Sequence, residues 1–572
     1  MPIFALRHLL PAAALGLFLA LPAQADDYAG SYLAARVAIA EKDFPAVVEY
    51  GTRAVALAPD NADLIQGLLI AQVGIGQFDA AVPVARRLSA LEPENQLAGL
   101  VVITDAIRAG RWQQVLGLLE QGVSVGGSVD QLVRGWAYFG LGDAQKGAEA
   151  FQALERDGDP GQFGIFHHAL ALAQSGDYFA AVDVLKASDA RALRLDRESA
   201  IAYAQMLSMA ERPQDAVKLL ESVFGDGGSP AIRTLRAELA AGKPVPLSVL
   251  NTPQKALSAV YAKIAQAVAQ ELNPEVVLLY SRAAEFIDPD NQAALFLSAS
   301  LLETLQLYDL AIATYSRIPA DSPLYRSAMI AKAAAMRHAG DSDAAIAALE
   351  ALAQQFPDAP RVFQTLGDNY RFAKRCKDAL APYDRAVSLI GTPSSAAWRL
   401  FFARGVCNER VGNWEQAEAD FLKALELEPD QPSVLNYLGY SWVEQQRNLD
   451  RALDMIKRAV EARPEDGYIV DSLGWVYYRL GRYDEALSVM ERAVELVPVD
   501  PVLNDHLGDV YWAVGRRLEA DFQWRRALSF ITDDTDLDEV KPDRIRRKLE
   551  VGLDRVLEEE GAPPLHATDE GG

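Results

Sequence analysis

The strongest constraint on this chain is a period. The stretch Gly467–Asp500, GYIVDSLGWVYYRLGRYDEALSVMERAVELVPVD, reads as two short helical runs with a turn at Leu480–Asp484. Gly474 and Tyr477 lie in the first run, Ala486 and Ala493 in the second, and Pro498 ends the unit. Gly508, Tyr511, Ala520 and Ala527 repeat that order 34 residues on. Small residues at fixed positions let two antiparallel helices approach closely, a large residue fills the remaining gap, and proline stops the second helix. One such pair cannot bury its apolar face, so neighbours must stack. The expectation is an all-α solenoid, which has no single core and so tolerates 572 residues without separate globular domains.

A helix–turn–helix period of this length, carried by small, aromatic and proline positions, is identified as the tetratricopeptide repeat (TPR). The resemblance implies a TPR α-solenoid, a right-handed superhelix whose first helices line the concave side. Between residues 28 and 224 the turns at Glu41–Phe44, Gly76–Phe78, Gly110–Trp112, Gly142-Asp143, Gly176–Tyr178 and Glu211–Pro213 give about six degenerate units. Two glycine/proline-rich punctuations follow, Gly225–Pro230 and Gly242–Pro246, flanking one odd helix near Ala231–Ala241. Residues 225–257 are therefore expected to be an irregular joint between an array at 26–224 and a second at 258–530; an insertion in one continuous solenoid is the other reading. In the second array the unit Pro432–Asp466 is one residue long, and the extra residue falls at Gln446–Leu449. Residues 531–560 read as an acidic linker followed by one amphipathic capping helix over Arg544–Glu560, and 561–572 as a disordered tail.

Residues 1–25 obey other rules. Arg7 and His8 precede an apolar run from Leu9 to Leu21, and Ala23-Gln24-Ala25 stands before Asp26-Asp27. This is the pattern of a cleaved signal peptide, with a core too short for a comfortable membrane span. The expected location is the periplasm, without a lipid anchor because no cysteine follows the cleavage site, and without direct membrane insertion. The formal charge of −24 argues against nucleic-acid partners. No nucleophile elbow, zinc-binding HExxH, phosphate loop or dinucleotide fingerprint occurs, so no enzyme and no cofactor is expected. His167-His168 reads as packing or solvent-facing histidine, and Asp534, Asp536 and Asp538 lack the glycine and final glutamate of a calcium loop.

Two features remain. In repeat register Cys376 starts the second helix of one unit and Cys407 lies in the first helix of the next, so they form either a disulfide or two small buried residues. The second, fifth, ninth, twelfth and thirteenth positions of each first helix face the groove. In the Gly467 unit these are Tyr468, Asp471, Trp475, Tyr478 and Arg479; the preceding unit adds Asn436, Tyr440 and Glu444, and the following one Asp505, Asp509 and Trp512. Arg399, Phe402, Glu409 and Arg410 extend the strip. Packing requires Gly474 and Tyr477, which makes Trp475 and Tyr478 surplus to the core and candidates for a peptide-binding wall. Packing against neighbours or the capping helix is the alternative.

The run from Leu435 to Ala520, through Leu438-Gly439-Tyr440, Asp471–Trp475, His506–Asp509 and the late helix Arg544–Glu550, resembles the long TPR proteins of the proteobacterial cell envelope. These include the outer-membrane lipoprotein adaptor of a carboxyl-terminal processing protease. The resemblance implies a scaffold or adaptor that binds proteins or extended peptides, with a periplasmic protease and its substrates among its partners. The rival is a structural component of an envelope assembly, for polysaccharide export or outer-membrane maintenance, with self-association left open. Lipid tethering is not implied, since Asp26 follows Ala25.

Overall fold

A computed structural model describes residues 27–155, 161–187, 196–225, 229–532, 535, 540–562 and 565. The expected signal peptide, most of the acidic run with Asp534, Asp536 and Asp538, and most of the tail lie outside them. The described residues form 31 α-helices and no strand, and no helix among them is long and apolar enough to cross a membrane. The chain is an all-α TPR solenoid. Helix pairs run from Asp27–Glu41 with Phe44–Leu57 to Pro501–Ala513 with Arg517–Ser529.

The repeat is written into the backbone at one position. Apart from Pro253–Val268, the first helices are followed by a residue in the left-handed region: Gly76, Gly110, Gly142, Gly176, Gly340, Gly412, Gly481 and Gly515, with φ between 66° and 90°. The same place is filled by Lys42, Glu211, Gln306, Lys374 and Gln446 at φ of 53–61°. At each turn the next two amides bond back into the helix, as where Gly76 donates to Val73 at 2.9 Å and Gln77 to Gln72 at 2.8 Å. This caps the last carbonyls and reverses the chain. The long unit obeys the expectation: Asn448 adds a second left-handed residue two after Gln446. Alanines 379, 386, 417, 424, 452, 459, 486, 493, 520 and 527 are all fully buried, as close packing of the second helices requires.

Two compact units divide at Ala344 and Ala345. The expected joint, residues 225–257, therefore lies inside unit 1. The physical reason is that the chain after this joint returns to the array before it. Helices Pro253–Val268 and Pro274–Ile287 pack against the first helices Ala62–Gly74, Gln96–Arg108 and Gly127–Gly140. Arg282 is buried there, donating to the Gly74 carbonyl at 3.2 Å and to Glu285 at 3.0 and 3.1 Å. The Phe286 ring stacks on Phe78 at 3.9 Å with the Arg108 guanidinium 4.0 Å from its centre. His167 and His168 are buried; Trp136 donates to His167 Nδ1 at 3.1 Å, and burial holds that imidazole down at about 3.

In unit 2, Cys376 and Cys407 are paired as a disulfide with Cα atoms 4.8 Å apart, joining the helix Cys376–Leu389 to Trp398–Arg410 of the next repeat. The C-terminal cap is two helices, Pro542–Val551 and Leu553–Glu559, rather than one. Gly552, at φ 83°, breaks them apart, and the Trp512 ring occupies the space where a side chain at 552 would stand.

The non-glycine turn residues yield a test. An L-residue held left-handed costs about 1–2 kcal/mol, partly offset by the freedom that glycine adds to the unfolded chain. Lys374→Gly is expected to stabilise unit 2 by about 0.5–1 kcal/mol, measured as an upward shift of the urea midpoint.

Candidate protein-binding site

Unit 1 shows what the first-helix face of a repeat can hold. Residues 243–250 lie without regular structure along the helix Arg197–Met209. Ser208 Oγ accepts from the Val245 amide at 2.9 Å and donates to the Lys243 carbonyl at 3.4 Å. Gln205 accepts from the Ser248 amide at 3.0 Å and donates to Ser248 Oγ at 2.7 Å. Gln174, from the preceding repeat, donates to the Leu250 carbonyl at 2.6 Å. Each left-handed turn residue supplies a fixed origin for counting. Gln205 stands six residues before Glu211 and Ser208 three before it, and Trp475 and Tyr478 stand at the same places before Gly481. Gln174 corresponds to Arg479 in the same way.

In unit 2 the equivalent face is built from helix Gly467–Arg479 and its neighbours Pro432–Glu444 and Pro501–Ala513. Trp475 stacks on His506 at 4.0 Å and on Tyr478 at 4.8 Å. Its indole donates to Glu444 at 2.7 Å, and Arg479 donates to the same carboxylate at 3.1 Å. His506 Nδ1 lies 3.1 Å from both carboxylate oxygens of buried Asp471. Burial by itself would lower the pKa of His506, but the charge and hydrogen bond of Asp471 prevail and raise it above the ordinary imidazole value.

The cap helices take the far end of this face. Lys548, fully buried, donates to Asp505 at 2.8 and 2.9 Å and to Asp509 at 2.6 Å. Trp524 donates to Asp509 at 2.9 Å, and Arg544 lies 3.5 Å from it. Trp512 donates to Asp554 at 3.0 Å beneath the Arg517 guanidinium, 3.6 Å from its ring centre. A buried carboxylate without a partner is costly. Asp471 and Asp505 occupy one repeat position, and the next element answers each with a basic group: His506 for the first and Lys548 for the second.

The eleven expected residues therefore divide. Tyr468 and Glu444 are exposed, Tyr468 by 57%, and Asn436, Tyr440, Trp475 and Arg479 are half-buried. Asp505, Asp509 and Trp512 are engaged by the cap, and Asp471 by His506. Tyr478 is not surplus to packing: it is buried in the core and touches Tyr483, with ring centres 5.6 Å apart. Its ring is covered between Trp475 and Tyr483, with Asp509 of the next repeat and Arg544 of the cap close enough to act on its hydroxyl. His506, Lys548, Arg544 and Asp554 were missed. The recurrence of Asp471 at Asp505 was the one available signal that a cation had to follow each.

Comparison with known proteins finds the same repeat. Two tetratricopeptide-repeat family models match, one at residues 408–467 and 443–501 and the other at 324–359. The TPR repeat-containing protein PA4667 of Pseudomonas aeruginosa is 32% identical over 83 residues, 14% of each chain. The lipoprotein NlpI homolog of Haemophilus influenzae is 38% identical over 85 residues, 15% of this chain and 26% of that one. The similarity thus spans only a minor part of either relative. Among solved structures, the APC/C hetero-tetramer Cut9–Hcn1 covers 93% of this chain and 97% of its own at 14% identity and a TM-score of 0.38. YrrB, described as a TPR protein with an unusual peptide-binding site, covers 32% of this chain and 93% of its own at 22% identity and 0.26.

Two outcomes are expected. Tyr478→Ala should lower stability by about 3 kcal/mol or more, the usual cost of emptying an aromatic core site, measured by urea unfolding. A raised histidine pKa stabilises the fold below the unfolded value, about 6.5, and that contribution fades as pH rises through the folded value. The urea midpoint of unit 2 should therefore fall between pH 6 and pH 9, and His506→Gln should flatten that part of the slope.

Proposed function

We propose that this tetratricopeptide-repeat protein is a non-enzymatic scaffold of the periplasm that holds an extended segment of a partner protein on the first-helix face of unit 2. One observation carries the reading: unit 1 already holds an extended segment of its own chain at the repeat positions that in unit 2 are Trp475, Tyr478 and Arg479. The unit 1 face is covered by residues 243–287, whereas in unit 2 Tyr440, Glu444, Trp475 and Arg479 keep exposed surface. Aromatic rings beside hydrogen-bonding groups suit a peptide backbone and its side chains. TPR scaffolds work through protein partners, and the resemblance to envelope TPR proteins supports recruitment of those partners to a periplasmic protease. The signal-like pattern of residues 1–25 supports export as part of this reading.

The second reading, a structural part of an envelope assembly, has its own observation. On the outer face of Arg517–Ser529, Leu518 is 85% exposed and Phe522 60%. The corresponding residues of the two preceding repeats are Asp484 and Ser488, and Asp450 and Asp454. An apolar pair where the two preceding repeats are mostly charged suits a contact surface.

Capture from periplasmic extract by the chain beginning at Asp26 distinguishes the two. Trp475→Ala should reduce capture several-fold with the melting midpoint nearly unchanged, and Leu518→Glu with Phe522→Glu should leave it intact. Loss of capture only in the Leu518/Phe522 variant would favour the assembly reading and reject the groove.

A further inference from the structure

Where helix Pro274–Ile287 meets the early repeats, unit 1 encloses a cavity of about 190 Å³. Three guanidinium groups line it: Arg108 at the end of Gln96–Arg108, Arg282 within Pro274–Ile287, and Arg317 just after the helix Tyr308–Tyr315. Among the described residues Glu285 is the one carboxylate in its wall. The chain carries 79 acidic residues against 55 basic ones, so three cations around one anion reverse its general balance. That carboxylate is already shared. Arg317 donates to it at 2.6 Å, and Arg282 donates to both of its oxygens. Arg282 also reaches the Gly74 carbonyl and, at 3.4 Å, the Thr314 hydroxyl. Buried and satisfied, Arg282 acts on the cavity through its charge. Arg108 and Arg317 differ, for both are exposed. The carboxylate that meets Arg108 is Asp79, 3.4 Å away and 88% exposed, so the pair neutralises little. Its guanidinium lies on the Phe286 ring, which Phe78 backs by stacking, and this holds the group in place. Of the five N–H donors on each arginine, Arg108 commits one and Arg317 two among the described residues, the second of these to the Pro289 carbonyl at 3.4 Å.

From this we infer that the cavity is a binding site for a small doubly charged oxyanion of the phosphate class, held by Arg108 and Arg317 above the buried charge of Arg282. Size sets the first limit. The volume matches roughly six water molecules at about 30 Å³ each, below the range of about 300 Å³ and upward that takes drug-sized ligands. A single phosphate group fits, and a nucleotide or a peptide strand does not. Charge sets the second: three guanidinium groups against one carboxylate leave two positive charges, which a dianion balances. Donor count sets the third. Two arginine forks offer more N–H groups than the two oxygens of a carboxylate can accept, whereas a phosphate brings at least three oxygens to the same place. Room remains at the wall, since a Cβ placed on Gly76 would meet no atom within 4 Å. The site does not depend on the groove reading of unit 2. It exists because helix Pro274–Ile287 returns to the early repeats, and a bound anion would bridge three elements far apart in sequence.

The test titrates the full chain from Asp26, in chloride buffer free of phosphate and sulfate, with inorganic phosphate, glycerol phosphate and succinate in a calorimeter. Inorganic phosphate should bind once per chain with a Kd below about 1 mM, and succinate about tenfold more weakly. Arg108→Gln/Arg317→Gln should weaken phosphate by about tenfold or more. Arg108→Lys/Arg317→Lys should weaken it several-fold, because an ammonium keeps the charge and loses the paired donors. Arg53→Gln, at an exposed arginine elsewhere in unit 1, should change nothing. Circular dichroism and the urea midpoint check the fold of each variant, and the lysine pair carries the comparison if the glutamine pair does not fold. Glycerol phosphate binding as tightly as phosphate would uphold the site and assign it to a phosphate monoester; binding of inorganic phosphate alone would uphold it for the free ion. No saturable binding of phosphate, or binding unmoved by the arginine substitutions, would overturn the site. Succinate binding as tightly as phosphate would overturn the phosphate class.

Discussion

Where the two helices of a repeat cross there is no room for a side chain. A Cβ placed on Gly474 would come within 2.7 Å of Met490, and one on Gly508 within 2.5 Å of Trp524. Close crossing lets each pair present one wide apolar face, and that face has no use except against the next pair. Everything else follows from keeping the crossing in register. The left-handed residue after each first helix fixes where the chain turns, the buried alanines fix how near the second helix lies, and the same side-chain positions then return on the groove side of each repeat. Trp475 and Gln205 occupy equivalent places for this reason, although their chemistry differs.

That equivalence gives the functional argument its footing. A groove position is defined by backbone geometry and can be filled by any residue, so the filled example in unit 1 is the basis for the role proposed for the position in unit 2. Gln205 and Ser208 meet an extended backbone with hydrogen bonds. In the Gly481 repeat the same two positions carry the rings of Trp475 and Tyr478. The same backbone positions thus carry hydrogen-bonding side chains in one unit and aromatic ones in the other.

Much of the repeat was legible because packing acts at short range. The Gly–Ala–Pro order located the helix pairs, and spacing placed the extra residue of the Pro432 unit in the turn where Asn448 is left-handed. Repeat register also brought Cys376 and Cys407 together. Long-range folding back was not legible. Helix Pro274–Ile287 has the composition of an ordinary repeat helix, and nothing local in Arg282 or Glu285 shows that they are buried against repeats some 200 residues earlier. The break at Gly552 was hidden likewise, since a lone glycine in an amphipathic run reads as tolerated until Trp512 is placed above it. Of the candidate site, the positions were readable but their burial was not, because Tyr478 and Asp471 depend on partners in the next helix.

The return of residues 243–287 to the early repeats bears on how the two units come apart. A plain solenoid is held by nearest neighbours and can lose repeats one at a time from an end. Unit 1 cannot do so cheaply, since Arg282 bonds to Gly74 across 208 positions and Tyr280 to Val125 across 155. Contacts that distant in sequence couple the repeats into one cooperative block and slow its formation. Among the described residues of unit 2 the main element contacts join neighbouring helices and adjacent repeats and the cap. By the same reasoning unit 2, whose ties are short in sequence, is expected to unfold with less cooperativity than unit 1.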